Sequence, residues 1–238
     1  MTRMAWSSRG AVLGILICLA AAGCGSGDRT VDRVVIVTLD TTRADRLGCY
    51  GYESAATQHL DALAEESALF ERAVSPVPTT LPSHSTIFTG LYPQDHGVRY
   101  NLVDRLGPEA DSLAEILGER GFTSGGFPSA YVLGGTFGLD QGFDTYVEPP
   151  DARASVETPH GINGAPAGTI VDRALAWLDE NAEVERQFLW LHFYDPHAPY
   201  QPPFPYSSTF RERPYDGELA YVDTQFGRLM ERLRSDPC

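Results

Sequence analysis

The stretch "RVVIVTLD", residues 33–40, decides how this chain folds. From Val34 to Leu39 every position is apolar or β-branched, with no alternation. A strand with one face in water alternates, whereas a strand covered on both faces does not. The run therefore predicts a strand buried on both faces, as in a parallel sheet covered by helices, and it closes on a carboxylate, Asp40.

Working outward, the same order of elements recurs. "TQHLDALAEESALFERAV" (57–74) carries Leu60, Leu63, Ala64, Ala68 and Leu69 near helical spacing, with Thr57 as its cap. "DSLAEILGERG" (111–121) predicts a helix stopped by Gly121, followed by a short strand "FTSGGF" (122–127). "GTIVDRALAWLDENA" (168–182) predicts a helix leading into a second apolar strand, "QFLWLHFY" (187–194), and a last helix covers 217–235. Strands alternating with helices imply an α/β fold with a mixed, mostly parallel central sheet flanked by helices. The Gly- and Pro-rich stretches 124–168 and 195–216 have the composition of loops.

In open α/β sheets ligands bind beyond the carboxyl ends of the strands. Asp40 ends one predicted strand, and the loop "YDPHAPY" (194–200) follows another with Asp195 and His197. An Asp in that place is either a turn or cap residue or a ligand for a hard divalent cation. His197, between Pro196 and Pro199, is a candidate for protonating a leaving oxygen or holding an anion. "TTLPSHSTIFTG" (79–90) reads two ways: as a helix start, with Ser83 after Pro82 supplying the cap, or as the carrier of a nucleophilic hydroxyl. His84 and His96 fit equally as core or surface histidines.

Composition narrows the function classes. The chain has 18 cations, all arginine, against 32 Asp and Glu, for a net charge of -14. Such a balance argues against nucleic-acid binding, and the absence of lysine excludes Schiff-base chemistry. Arg3 and Arg9 precede an apolar run, Ala11 to Ala22, that is too short to span a membrane and reads as an export signal. Its end, "LAAAGCGSGD" (19–28), resembles a bacterial lipobox with Cys24 as the lipid-anchored residue. The expected organisation is a signal peptide over 1–23, a linker over 24–32 and a catalytic domain over 33–238, in an exported periplasmic or cell-envelope lipoprotein. Of the other cysteines, Cys18 leaves with the signal, Cys49 reads as a small buried apolar residue, and a Cys49–Cys238 bridge has no support.

Six blocks occur in a telling order: "VVIVTLDTTRADRLGCYGY" (34–52), "TTLPSHSTIFTGLYPQDHGV" (79–98), "LAEILGERGFTSGGF" (113–127), "GLDQGFDTY" (138–146), "FLWLHFYDPHAPYQPP" (188–203) and "YDGELAYVDTQFGRLMERL" (215–233). Together they resemble the N-terminal part of the sulfatase family, within the alkaline-phosphatase-like superfamily. The resemblance implies that Asp40 ligates a divalent cation, Ca, Zn, Mn or Mg, and that Thr41 stands where many sulfatases have a second aspartate. The signature Cys-x-Pro-Ser-Arg falls on Thr80-Leu81-Pro82-Ser83-His84, so Thr80 takes the nucleophile's place and His84 the arginine's. Threonine is not a substrate for the aldehyde conversion of sulfatase cysteines, but a metal-activated threonine alkoxide serves superfamily relatives that cleave phosphate esters. The implied reaction is hydrolysis of a sulfate or phosphate ester, on a carbohydrate or an envelope lipid, with Thr80 attacking and His84 and His197 stabilising charge. In the family the remaining metal ligands come from a later Asp-His pair, and the sequence reaches "RLRSDPC" without one. The expectation is a fold incomplete on its C-terminal side, with an inactive binding module or gene remnant as the alternative.

Overall fold

The structure, a computed structural model, describes residues 32–149 and 164–235. The expected signal peptide, the linker up to residue 31, the anchor Cys24 and Cys238 lie outside the described residues. In chain order the main elements are β1 (Arg33–Leu39), α1 (Gln58–Glu66), α2 (Thr80–Thr89), α3 (Pro93–His96), α4 (Leu113–Gly118), β2 (Thr123–Phe127), β3 (Thr145–Tyr146), α5 (Ala167–Glu180), β4 (Gln187–Phe193), α6 (Tyr206–Thr209) and α7 (Pro214–Ser235). Among the described residues no helix is long and apolar enough to cross a membrane.

The strands form one sheet in the order β1-β4-β2-β3, and every pairing is parallel. In register, Val34 lies opposite Phe188, Thr38 opposite His192 and Leu39 opposite Phe193. All seven residues of β4 are buried. The sheet's two faces explain the unbroken apolar runs. Leu189, Leu191 and Phe193, with Val35, Val37 and Leu39, pack against α5 and α7 through Ile170, Val171, Ala174, Val222 and Phe226. Phe188 and Trp190, with Val34 and Ile36, pack the opposite way against Leu81 and Phe88 of α2 and Ala114 of α4. Odd and even positions thus face different hydrophobic layers, and each buried large side chain contributes about 1.5–3 kcal/mol.

Helix boundaries follow local chemistry more closely than apolar spacing. α1 ends at Glu66, not near residue 74, because Ser67 turns extended (φ -134°, ψ 177°) and its hydroxyl donates to Leu63 O at 2.7 Å. Beyond it Phe70 is 71% exposed, so the apolar spacing there meets no core. Thr57 stands before α1 but does not cap it: its hydroxyl donates to the Asp61 carboxylate at 3.2 Å and accepts the Gly48 N–H at 3.1 Å. Asp223 of α7 does that work from a distance, accepting the N–H groups of His59 (3.1 Å) and Leu60 (2.9 Å). α4 opens with a capping box between Ser112 and Glu115, and Gly121 (φ 81°) turns the chain into β2. α7 begins at Pro214, three residues earlier than expected, where proline's fixed φ suits a first turn. Cys49 is a free thiol and only partly buried, unlike the core residue expected; burial and the nearby Asp61 push its pKa up.

Candidate active site

β1 and β4 release their ends at the same sheet edge. Asp40 extends the ladder by one bond, its N–H donating to Phe193 O at 3.0 Å, so its side chain stands just past the strand. α2 starts over this edge with Thr80 as its first residue. The Thr80 hydroxyl donates to Asp40 Oδ2 at 3.3 Å, which joins residues 40 apart in sequence. Burial raises the Asp40 carboxyl pKa, but contact with His192 and the proximity of His84 and His197 more than offset this and hold it below the ordinary value.

His192 escapes a sequence reading that looks for polar residues in loops, because it lies within the apolar run of β4. Its signal is parity: Phe188, Trp190 and His192 share one face, and Thr38 lies opposite on β1. The imidazole is fully buried, with Nε2 3.6 Å from Asp40 Oδ2, an electrostatic contact longer than a hydrogen bond. Neither of its ring nitrogens has a hydrogen-bond partner among the described residues.

His84 is buried between His192 and Trp190, with ring centroids 5.0 Å and 5.7 Å away. Its Nδ1 lies 2.8 Å from Thr80 O and its Nε2 3.1 Å from Thr38 Oγ1. Burial pushes its pKa down to about 3, so the ring is neutral at ordinary pH. Ser83 lies inside α2, not before it, and its hydroxyl donates to Thr80 O at 2.9 Å; the cap expected of Ser83 is absent because the helix starts three residues earlier. Asn101, which the sequence reading passed over, fills part of that need by accepting the Leu81 N–H at 2.9 Å. Pro82 has no N–H and Ser83 N donates to Thr79 O, so among the described residues the N–H of Thr80 is the donor of this first turn left without a partner.

A cavity of about 290 Å³ opens on Thr80, lined by Asn101, Leu102, Tyr131, Tyr194 and His197 among others, and among the described residues no arginine contributes to its lining. His197 stacks on Tyr194 at 4.3 Å with an interplanar angle of 15°. Its Nδ1 lies 2.9 Å from Ala198 O, and a carbonyl only accepts, so Nδ1 carries the proton and Nε2 is left uncommitted. The rim is strained. Thr41 (φ 48°) and Leu102 (φ 64°) sit in the left-handed region that β-branched and branched side chains avoid. Thr41 is held there by Tyr215, whose hydroxyl donates to Thr41 O at 2.9 Å, and by its own hydroxyl, which donates to Pro196 O. That hydroxyl is therefore turned to the His197 loop. His96 lies apart from the site, satisfied by Thr86 Oγ1 and the Val98 N–H.

The family model for sulfatases matches residues 32–238. The chain belongs to the sulfatase family. An uncharacterized sulfatase of Escherichia coli, YidJ, is 26% identical over 223 residues, covering 79% of this chain and 43% of that protein. Two crystal structures share the fold. Ps i-CgsB in complex with k-i-k-neocarrahexaose superposes with a TM-score of 0.71 at 19% identity, over 86% of this chain and 55% of the other. The phosphonate monoester hydrolase of Agrobacterium radiobacter gives 0.68 at 20% identity, over 86% and 59%. The chain spans about half the length of the relatives it matches.

The residues in hand fit one side of the divalent-cation site this family implies. Asp40 is an ionised carboxylate, Thr80 Oγ1 lies beside it, and the orphaned nitrogen of His192 faces the same oxygen. Among the described residues no group of three or more His, Cys, Asp or Glu gathers where a metal would sit.

Proposed function

We propose that this domain hydrolyses sulfate or phosphate esters with Thr80 as the nucleophile. The observation that carries the reading is the 3.3 Å contact between Thr80 Oγ1 and Asp40 Oδ2, Thr80 itself lining a cavity with His197. A divalent cation held by Asp40 and Thr80 would favour the alkoxide form of the hydroxyl and offset the charge of the anionic ester. The chain's own residues account for the rest. Asp40 orients the hydroxyl and is the acceptor placed to receive its proton. Thr80 is held on the first turn of a helix, where its free N–H and the helix's positive end favour the transferred anion. The oxygen attacks sulfur or phosphorus, and the ester oxygen departs on the far side and takes a proton from solvent. Water, giving a proton to the bare Nε2 of His197, then cleaves the sulfuryl- or phosphoryl-threonine to free the anion, and Asp40 returns the hydroxyl's proton to Thr80. Tyr131 and Tyr194 give the cavity flat apolar walls suited to a sugar ring, in keeping with a neighbour that binds k-i-k-neocarrahexaose. Export and a lipid anchor on Cys24 belong to the same reading, and fatty-acid labelling that survives a Cys24→Ser substitution would sink that part.

The test is turnover of para-nitrophenyl sulfate, para-nitrophenyl phosphate and bis-para-nitrophenyl phosphate with Mn, Ca, Zn or Mg added. Thr80→Ala is expected to lose at least about a thousandfold in kcat. Equal turnover in both proteins would remove Thr80 from the mechanism.

A further inference from the structure

Behind Thr80, away from the cavity, runs a hydrogen-bonded chain that links the sheet to the first residue of α2. Trp190 Nε1 donates to Thr38 Oγ1 at 3.1 Å, Thr38 Oγ1 lies 3.1 Å from His84 Nε2, and His84 Nδ1 lies 2.8 Å from Thr80 O. The two ends fix the direction of every bond between them. Indole N–H only donates and a carbonyl oxygen only accepts. So Nδ1 of His84 carries the proton and Nε2 of the neutral ring is bare; the Thr38 hydroxyl, which also lies 3.5 Å from Leu191 O, makes its shorter bond by donating to Nε2 at 3.1 Å while accepting from Trp190. Buried as it is, the ring has no water to substitute for either partner.

We propose that Thr38 and His84 are positioning residues that hold the backbone of Thr80 so that its hydroxyl faces Asp40. The proposal rests on the reading of Thr80 as nucleophile. Its logic is mechanical. Thr38 and Asp40 belong to the same extended segment, two residues apart, so anchoring Thr80 O through His84 to Thr38 ties nucleophile and carboxylate to one rigid element. Ser83 adds a second side-chain bond to the same carbonyl at 2.9 Å. His84 thus acts where a signature arginine would otherwise stand, but from the rear: both its nitrogens are spent on the protein and neither reaches the cavity lining. Trp190, whose ring lies 4.6 Å from Phe88 of α2, keeps the donor end of the chain in place.

The experiment uses the full chain and two readouts. Nitrogen-15 NMR of the imidazoles should show His84 protonated on Nδ1 alone, with that pattern kept in Thr38→Ser and lost to a tautomer mixture in Thr38→Val. With whichever para-nitrophenyl ester is turned over, Thr38→Val should lower kcat about tenfold to a hundredfold with KM within about twofold, and Thr38→Ser should restore it. A merely structural threonine would lower the melting temperature without changing the tautomer or separating kcat from KM. His84 protonated on Nε2 in the parent protein overturns the proposal even if no ester is turned over. An inactive Thr80→Ala beside a Thr38→Val with parent-like kcat overturns the positioning role alone, whereas parent-like turnover in Thr80→Ala overturns the nucleophile reading beneath it.

Discussion

Replacing Glu218 by glutamine should stabilise this protein on the alkaline side and leave it unchanged on the acid side. Glu218 of α7 is 3% exposed; one oxygen accepts the Gln201 N–H at 2.6 Å and the other is buried without a partner among the described residues. Burial, with the negative charge of Asp195 adding to it and the Gln201 bond opposing it, raises its pKa from 4.5 to about 8. Between those values the folded state binds a proton that the unfolded state has released, so stability falls as pH rises. The contribution is fully present below 4.5 and gone above about 8. At about 1.4 kcal/mol per pKa unit the ceiling is about 5 kcal/mol, and relaxation of the structure around the buried charge brings the expected effect down to about 2 kcal/mol. Glutamine mimics the neutral acid and keeps an oxygen for Gln201. Urea unfolding of both proteins between about pH 5.5 and pH 8.5 should show profiles that diverge as pH rises, with the variant more stable at the alkaline end. Parallel profiles, or a variant weaker at high pH, would refute the reasoning.

Other perturbations have equally direct outcomes, each read by urea or thermal unfolding. Asp223→Ala removes the acceptor shared by His59 and Leu60 and should cost about 1–3 kcal/mol, with α1 losing amide-exchange protection before the sheet does. Gly138→Ala should cost roughly 2–4 kcal/mol, since φ is 85° and an added Cβ would lie 2.3 Å from Leu106 O. Leu189→Ala, in the fully buried central strand, should cost about 2–5 kcal/mol.

What the sequence made legible is what two-sided burial writes into it. β4 reads as an unbroken apolar run because α2 and α4 cover one face and α5 and α7 the other, whereas β1, with the same kind of run, lies at the sheet edge and is only half-buried along its length. The all-parallel pairing follows from the same cause, since crossover helices are what cover both faces. Asp40 is legible as a carboxylate at a strand end and Thr80 only through the resemblance to the sulfatase signature, and the fold brings the two to 3.3 Å. Other features had no one-dimensional trace. α1 stops early because a serine hydroxyl competes for the backbone, and its N–H groups are satisfied from α7, 164 residues away. His192 is hidden by the very run that identifies β4, and Asn101 matters only because the chain folds back over Leu81. Ser83 looked like a cap because Pro82 marks a first turn; the helix in fact starts one step before Leu81, at Thr80.

Catalysis by this domain turns on whether the oxygen of Thr80 becomes covalently loaded in partnership with Asp40. Mass spectrometry of peptides from protein quenched during turnover of a para-nitrophenyl ester measures this directly. A sulfuryl or phosphoryl group on Thr80 in the parent protein, absent from Asp40→Asn, is the predicted result. A group carried by another residue, or loading of Thr80 to the same extent in Asp40→Asn, would contradict it.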